Sequence, residues 1–151
     1  MPMNKPSSTI DEFQLQRFYP YRFSVLSNMM SAHIAECYKS FDITIPEWRV
    51  LAVLGEFPHS TATEIATKTA MDKAAITRAV QRLIHADYIL RHASQQDGRT
   101  SHLNMTAKGR DMYNTIIPMA LAYEAHMLEA LSEEETQMLD LLLNKIGYHV
   151  L

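Results

Sequence analysis

Between residues 73 and 82 the chain sets Lys73, Arg78 and Arg82 among Ala74, Thr77 and Gln81. Their chemistry is that of base and phosphate recognition. An Arg pairs bidentately with guanine O6 and N7, Gln does the same with adenine N6 and N7, and a Thr or Ala methyl can touch the thymine methyl. Successive helical residues turn by about 100°, so a helix from Lys73 to about Ala86 gathers Ile76, Ala79, Val80, Leu83 and, at the edge, Ile84 on one flank. The opposite flank carries Ala74, Arg78, Gln81 and His85, with Thr77 and Arg82 to either side and Lys73 in the first turn. This amphipathic division predicts one face in the core and one face offered to the major groove of double-stranded DNA.

The elements that must hold such a helix are marked by their caps and turns. Thr61-Ala62-Thr63-Glu64 is a capping box, which starts a short helix running to about Thr69. Met71-Asp72 then offers the N-cap of the second helix. Thr61 and Thr63, at the start of the first helix, join the expected DNA contacts. Tyr88-Ile89-Leu90 and His102-Leu103-Asn104-Met105 read as two short strands, and Ser94-Gln95-Gln96-Asp97-Gly98-Arg99 between them is rich in turn formers. The order is that of a winged helix-turn-helix with a β-hairpin wing. Arg99 at the wing tip, with Asp97 to hold its guanidinium, suits a narrow minor groove.

On these residues the sequence resembles the MarR (multiple-antibiotic-resistance regulator) family of bacterial transcription regulators. Thr77-Arg78, Leu83, Arg91, the Asp97-Gly98-Arg99 turn, and Leu103 followed by Thr106 and Gly109 carry the likeness. The resemblance implies a homodimer that binds pseudo-palindromic operators, with Arg91 among its DNA contacts, and that small ligands or oxidation release. Aromatic acids are the class of effector it suggests.

The chain has 151 residues, 47% of them apolar, and a formal net charge of −3. That length suits one domain with helical extensions. The charge is unevenly divided: residues 60–110 hold eight Lys and Arg against four Asp and Glu, a balance of +4, which leaves −7 elsewhere. The basic charge is thus concentrated where counterion release would favour DNA. A single cysteine excludes an intramolecular disulfide framework, and the seven scattered His have no zinc-site or His-x-x-x-His spacing. No signal peptide and no membrane-length apolar run is evident, so a cytoplasmic protein with no membrane partner is expected.

The flanks are helical. Asp11 to Phe41 favours helix, with Pro20 either interrupting it or starting a new one, and Val25, Met29, Met30, His33, Ile34, Cys37 and Phe41 recur at helical spacing. Thr44 to Glu47 is another capping box, opening a helix through Trp48, Val50, Leu51 and Leu54 that Gly55 and Pro58 should end. Thr106 caps a long helix that Pro118 should kink. Ser132-Glu133-Glu134-Glu135 begins the last one, whose buried side is Met138, Leu139, Leu142 and Ile146. The expected fold is mainly α, with three parts: an N-terminal arm and dimerisation helix over 1–43, a winged-helix lobe over 44–105, and C-terminal dimerisation helices over 106–151. A lobe of that size cannot cover all the flanking apolar surface, which predicts a twofold dimer.

Met-rich and aromatic surface between lobe and flanking helices can form an effector pocket with Arg22, His33, Trp48 and Arg49. Helically spaced Met is also ordinary core. Cys37 is a candidate redox sensor, though its apolar helix face argues for a structural role and the Cys sensors of the MarR family lie nearer the start of the first helix. No cofactor or metal site is expected. No phosphate loop, nucleophile elbow or paired carboxylates support an enzyme. The alternative to a ligand-responsive repressor is a winged-helix module that binds protein, or a redox-responsive regulator acting through Cys37.

Overall fold

The computed structural model describes residues 10–93 and 100–150. Two 3-10 turns, Ile10–Glu12 and Leu15–Arg17, lead into α1 (Tyr19–Tyr38). Pro20 sits in the first turn of α1, where a missing N–H costs no helical bond, so it starts the helix rather than breaking it. A third 3-10 turn, Lys39–Phe41, precedes α2 (Ile45–Glu56), α3 (Ala62–Thr69) and α4 (Lys73–His85). Strands β1 (Ile89–Ala93) and β2 (Ser101–Met105) pair antiparallel, with Arg91 opposite Leu103 and His92 opposite His102. The chain then runs through α5 (Ala107–Leu128) and α6 (Glu133–Val150).

Caps set these boundaries. Both capping boxes that begin α2 and α3 are formed, Thr44 with Glu47 and Thr61 with Glu64. The Asp72 carboxylate accepts from the Ala75 N–H at 3.1 Å and opens α4. Ser132 and Glu135 close a third reciprocal pair ahead of α6. The α3–α4 turn depends on Ala70 in the left-handed region, φ 52°, which lets the Met71 N–H reach Ala66 O at 3.1 Å. An alanine there carries roughly 1–2 kcal/mol of strain that a glycine would not. Gly55 continues α2 instead of ending it. A Cβ at this position would lie 2.3 Å from Cζ of Tyr113, so its role is to admit that ring.

The core lies inside the winged-helix lobe. Val50, Leu51 and Leu54 from α2, Ile65 from α3, Ile76, Val80 and Leu83 from α4, and Ile89 and Leu103 from the hairpin are almost fully buried. Tyr38 at the end of α1 and Met112 and Ile116 of α5 extend this cluster, and α1 packs along α5. The α4 periodicity is met in full: Ile76, Ala79, Val80 and Leu83 are buried, with Ile84 half-buried at the edge.

Outside the lobe the expectation of burial fails within a single chain. Met138, Leu142 and Ile146 of α6 are exposed, and no described residue of that helix is buried. Phe13, Phe18, Tyr19, Phe23, Leu26 and Met29 at the other end are also open. Periodicity identifies an apolar face but not which molecule covers it. Pro118 lies inside α5, which continues to Leu128. No described helix is long and apolar enough to cross a membrane.

One junction ties the lobe to α5. The Thr106 N–H donates to Tyr88 O at 3.0 Å, its hydroxyl donates to Asp87 O at 2.6 Å, and the same hydroxyl accepts from the Gly109 N–H at 3.0 Å. A Cβ at Gly109 would stand 2.0 Å from Tyr88 O, a backbone atom that cannot swing aside. Gly109→Ala is expected to cost about 2–3 kcal/mol of unfolding free energy in urea titration, as overpacking does. Ala70→Gly, which relieves more strain at the left-handed position than the added freedom of the unfolded chain costs, should instead raise stability by about 0.5 kcal/mol.

Candidate nucleic-acid interface

Helix α4 shows solvent the residues that its sequence assigns to the outside. Lys73, Ala74, Thr77, Arg78, Gln81, Arg82 and His85 are all exposed. Thr77 donates its hydroxyl hydrogen to Lys73 O at 2.9 Å, so toward a ligand it presents a methyl group and an acceptor oxygen, not a donor. Arg82 is held differently: its Nε meets Glu47 Oε1 at 3.1 Å, while its side chain stays 65% exposed.

Alongside α4 lies a concavity of about 300 Å³ lined by Thr61, Thr63, Lys73, Thr77, Arg91, Thr100 and Ser101. It joins the start of α3, the first turn of α4 and both strands. Two cations and several hydroxyl side chains therefore converge on one hollow, a composition suited to a phosphate backbone. Arg78 and Arg82 flank a second hollow, of about 280 Å³, between α4 and the first turn of α2. The sequence-predicted contacts Thr61, Thr63, Lys73, Thr77 and Arg91 are thus brought together, with Ala74, Arg78, Gln81 and Arg82 on the adjoining helix face. Asp97 and Arg99 lie outside the described residues.

The base of the wing is braced by contacts that sequence reasoning missed. The Leu103 N–H donates to Ser60 O at 2.9 Å, and the His59 N–H donates to Asn104 Oδ1 at 3.1 Å. That bond orients the Asn104 amide, whose Nδ2 then donates to His59 Nδ1 at 2.9 Å. His102 Nδ1 donates in turn to His59 O at 2.8 Å. His59 has φ 65°, so the loop after α2 turns sharply to face β2. Nothing in residue type or spacing marks this pairing across more than forty positions.

A separate apolar chamber of about 460 Å³ lies between α1, α2, α5 and α6, lined by Phe23, Leu26, Met30, Trp48, Arg49 and Leu139 among others. Of the four residues expected in an effector pocket, Trp48 and Arg49 line it. Arg22 instead sits 5.2 Å from the Tyr19 ring, and exposed His33 stacks on Tyr123. Arg49 Nη2 donates to Ser31 Oγ at 3.0 Å. Tyr38, also in the lining, stacks on Trp48 at 5.6 Å, and its buried hydroxyl has no hydrogen-bond partner among the described residues. Cys37 is half-buried beside it. Among the described residues no three His, Cys, Asp or Glu side chains group as metal ligands.

A capped helix, a tight turn, a second helix with a basic open face, and a hairpin braced against the lobe define a winged helix-turn-helix. Comparison with known proteins agrees. Residues 41–100 match the model of the MarR family. The chain is 32% identical over 129 residues to an HTH-type transcriptional regulator from Bacillus cereus (strain ATCC 10987), covering 85% of this chain and 84% of that one. Among solved structures it superposes on a MarR/EmrR family transcriptional regulator from Acinetobacter sp. ADP1 with a TM-score of 0.83 and 28% identity, covering 91% of this chain and 98% of the other. The fold is shared with MepR of S. aureus in its DNA complex, at a TM-score of 0.78, 21% identity and coverage of 90% and 99%. The chain belongs to the MarR family of HTH-type transcriptional regulators, proteins that bind DNA.

Burial raises the Tyr38 hydroxyl from its ordinary pKa of 10.0 to about 12, with the nearby Arg49 charge partly opposing the shift. The folded state therefore keeps a proton that the unfolded state gives up first. Its contribution to stability is complete below pH 10 and declines as pH rises toward 12. Difference absorbance at 295 nm should resolve one tyrosine titrating near pH 12. Tyr38→Phe should remove that step and flatten the alkaline loss of stability, with no loss at neutral pH, because an unpartnered buried hydroxyl is deleted.

Proposed function

We propose that the protein is a homodimeric transcriptional repressor whose α4 enters the major groove of pseudo-palindromic DNA while the hairpin follows the adjacent backbone and minor groove. The observation that carries this reading is the joint exposure of Lys73, Thr77, Arg78, Gln81 and Arg82 on one helix face beside the hollow that holds Thr61, Thr63 and Arg91. Their roles divide by chemistry. Arg78 and Gln81, central on the open face, are the base readers, with Ala74 and the Thr77 methyl as apolar contacts for thymine. Lys73 and Arg91 neutralise phosphates and set the register. Asp97 and Arg99 at the wing tip complete the contact.

In this reading residues 1–43 and 106–151 form the dimer and 44–105 the DNA-reading lobe. The uncovered apolar faces of α1 and α6 support a second copy as their partner. Twofold symmetry would set two copies of α4 about 34–36 Å apart, one turn of B-DNA. Two lobes seated on a promoter exclude other proteins from it, which makes repression the sign of control. With chromosomal DNA as its target, the protein works in the cytoplasm.

The apolar chamber is the place for an effector. Its volume suits a small molecule, and its apolar walls with Arg49 and the Tyr38 hydroxyl favour a ligand with an aromatic body and an acidic group. Such a ligand releases DNA by binding more tightly to a geometry in which the two copies of α4 do not match the groove spacing. The ratio of its affinities for the two geometries equals the loss of DNA affinity.

Mobility-shift titrations on duplex selected by the protein from a random pool test the DNA reading. Lys73→Ala and Arg91→Ala should each reduce the salt slope by about 0.9 and weaken all duplexes alike. Arg78→Ala should chiefly lower the preference for selected over random duplex, by about tenfold. Variants that bind as the wild type does, with slope and preference unchanged, would falsify the assignment. Sedimentation equilibrium should give twice the chain mass, and a monomer at micromolar concentration would refute the dimer.

A further inference from the structure

We infer that Glu47 is a positioning residue for DNA reading, with a buried carboxylate that aims Arg82 of α4. This rests on the proposed use of α4 as the DNA-reading helix. Glu47 is 4% exposed, and both of its oxygens are committed. Oε2 accepts from the Thr44 N–H at 2.5 Å as part of the α2 cap, and Oε1 stands 3.1 Å from Arg82 Nε as an ion pair. Capping uses only one oxygen. The other faces α4, where it meets Arg82.

The geometry of the pair leaves Arg82 able to act. Contact through Nε takes the inner edge of the guanidinium, while its two terminal nitrogens make no hydrogen bond among the described residues. A guanidinium is planar, so fixing Nε fixes the plane in which the terminal nitrogens point. Arg78 stands one helical turn earlier, and the two arginines line one hollow against Thr44 and Pro46 at the start of α2. Without a counter-charge the two guanidinium groups would repel and splay. The buried carboxylate lets Arg82 stay beside Arg78 in one orientation, which sharpens recognition by lowering the entropy lost when DNA binds.

Glu47→Gln separates the two tasks of the carboxylate. Gln is an accepted partner in a capping box, so its oxygen keeps the Thr44 bond while its amide turns a donor toward Arg82 and the aim is lost. We expect the preference for selected over random duplex to fall about fivefold, with the urea midpoint near that of the wild type. Arg82→Ala should lower the same preference, and Glu47→Gln added to Arg82→Ala should change it by less than twofold. Removal of an acid that merely repels phosphate would act in the opposite direction and strengthen binding to every duplex. If Arg82→Ala loses preference while Glu47→Gln keeps it, or if the two effects multiply, the positioning role is wrong and the DNA reading stands. If Arg82→Ala binds as the wild type does, Arg82 does not read DNA and both assignments fall for this residue.

Discussion

The close approach of Gly109 to the Tyr88 carbonyl governs how the protein is put together. There the turn after α4, the exit of the hairpin and the start of α5 share one oxygen and one threonine, leaving no room for a side chain. Helix α4 is thereby fastened at its C-terminal end to the long helix that leaves the lobe. Its N-terminal end is set by Asp72 and by the left-handed Ala70. With both ends held, the direction of α4 relative to α5 is a property of the backbone, and the side chains on its open face are carried on a rigid element.

Much of this was legible because local chemistry and tertiary packing point the same way. Four Ser/Thr-x-x-Glu or Asp-led caps mark the helix starts at Thr44, Thr61, Asp72 and Ser132, and the 3.6-residue period sorts α4 into its buried and open faces without error. What remained hidden depends on contacts distant in sequence. The His59, Asn104 and His102 brace spans the lobe, and no motif announces it. Glu47 reads as a cap residue, and only the fold reveals a second partner on α4. Of the residues expected in the effector pocket, Trp48 and Arg49 line the apolar chamber, whereas Arg22 and His33 make their contacts elsewhere, since a helix as open as α1 offers several faces.

Helix α2 stands between α4 and the apolar chamber. Consecutive residues of its first turns face opposite ways: Glu47 meets α4, while Trp48 and Arg49 line the apolar chamber. Trp48 is further stacked between Tyr38 of α1 and Tyr113 of α5, at 5.6 and 6.2 Å. A displacement of this turn is felt on both sides, because a closely packed interior moves by discrete rearrangement rather than by continuous yielding.

The open apolar surface of α6 has a consequence for how much protein must be present. A helix that buries none of its described side chains within its own chain draws little stability from that chain, and an isolated helix of eighteen residues is marginal in water. Its order is then subject to mass action. In the proposed dimer, dilution would fray α6 before it disturbed the lobe, so the abundance of the chain would set the fraction that is paired.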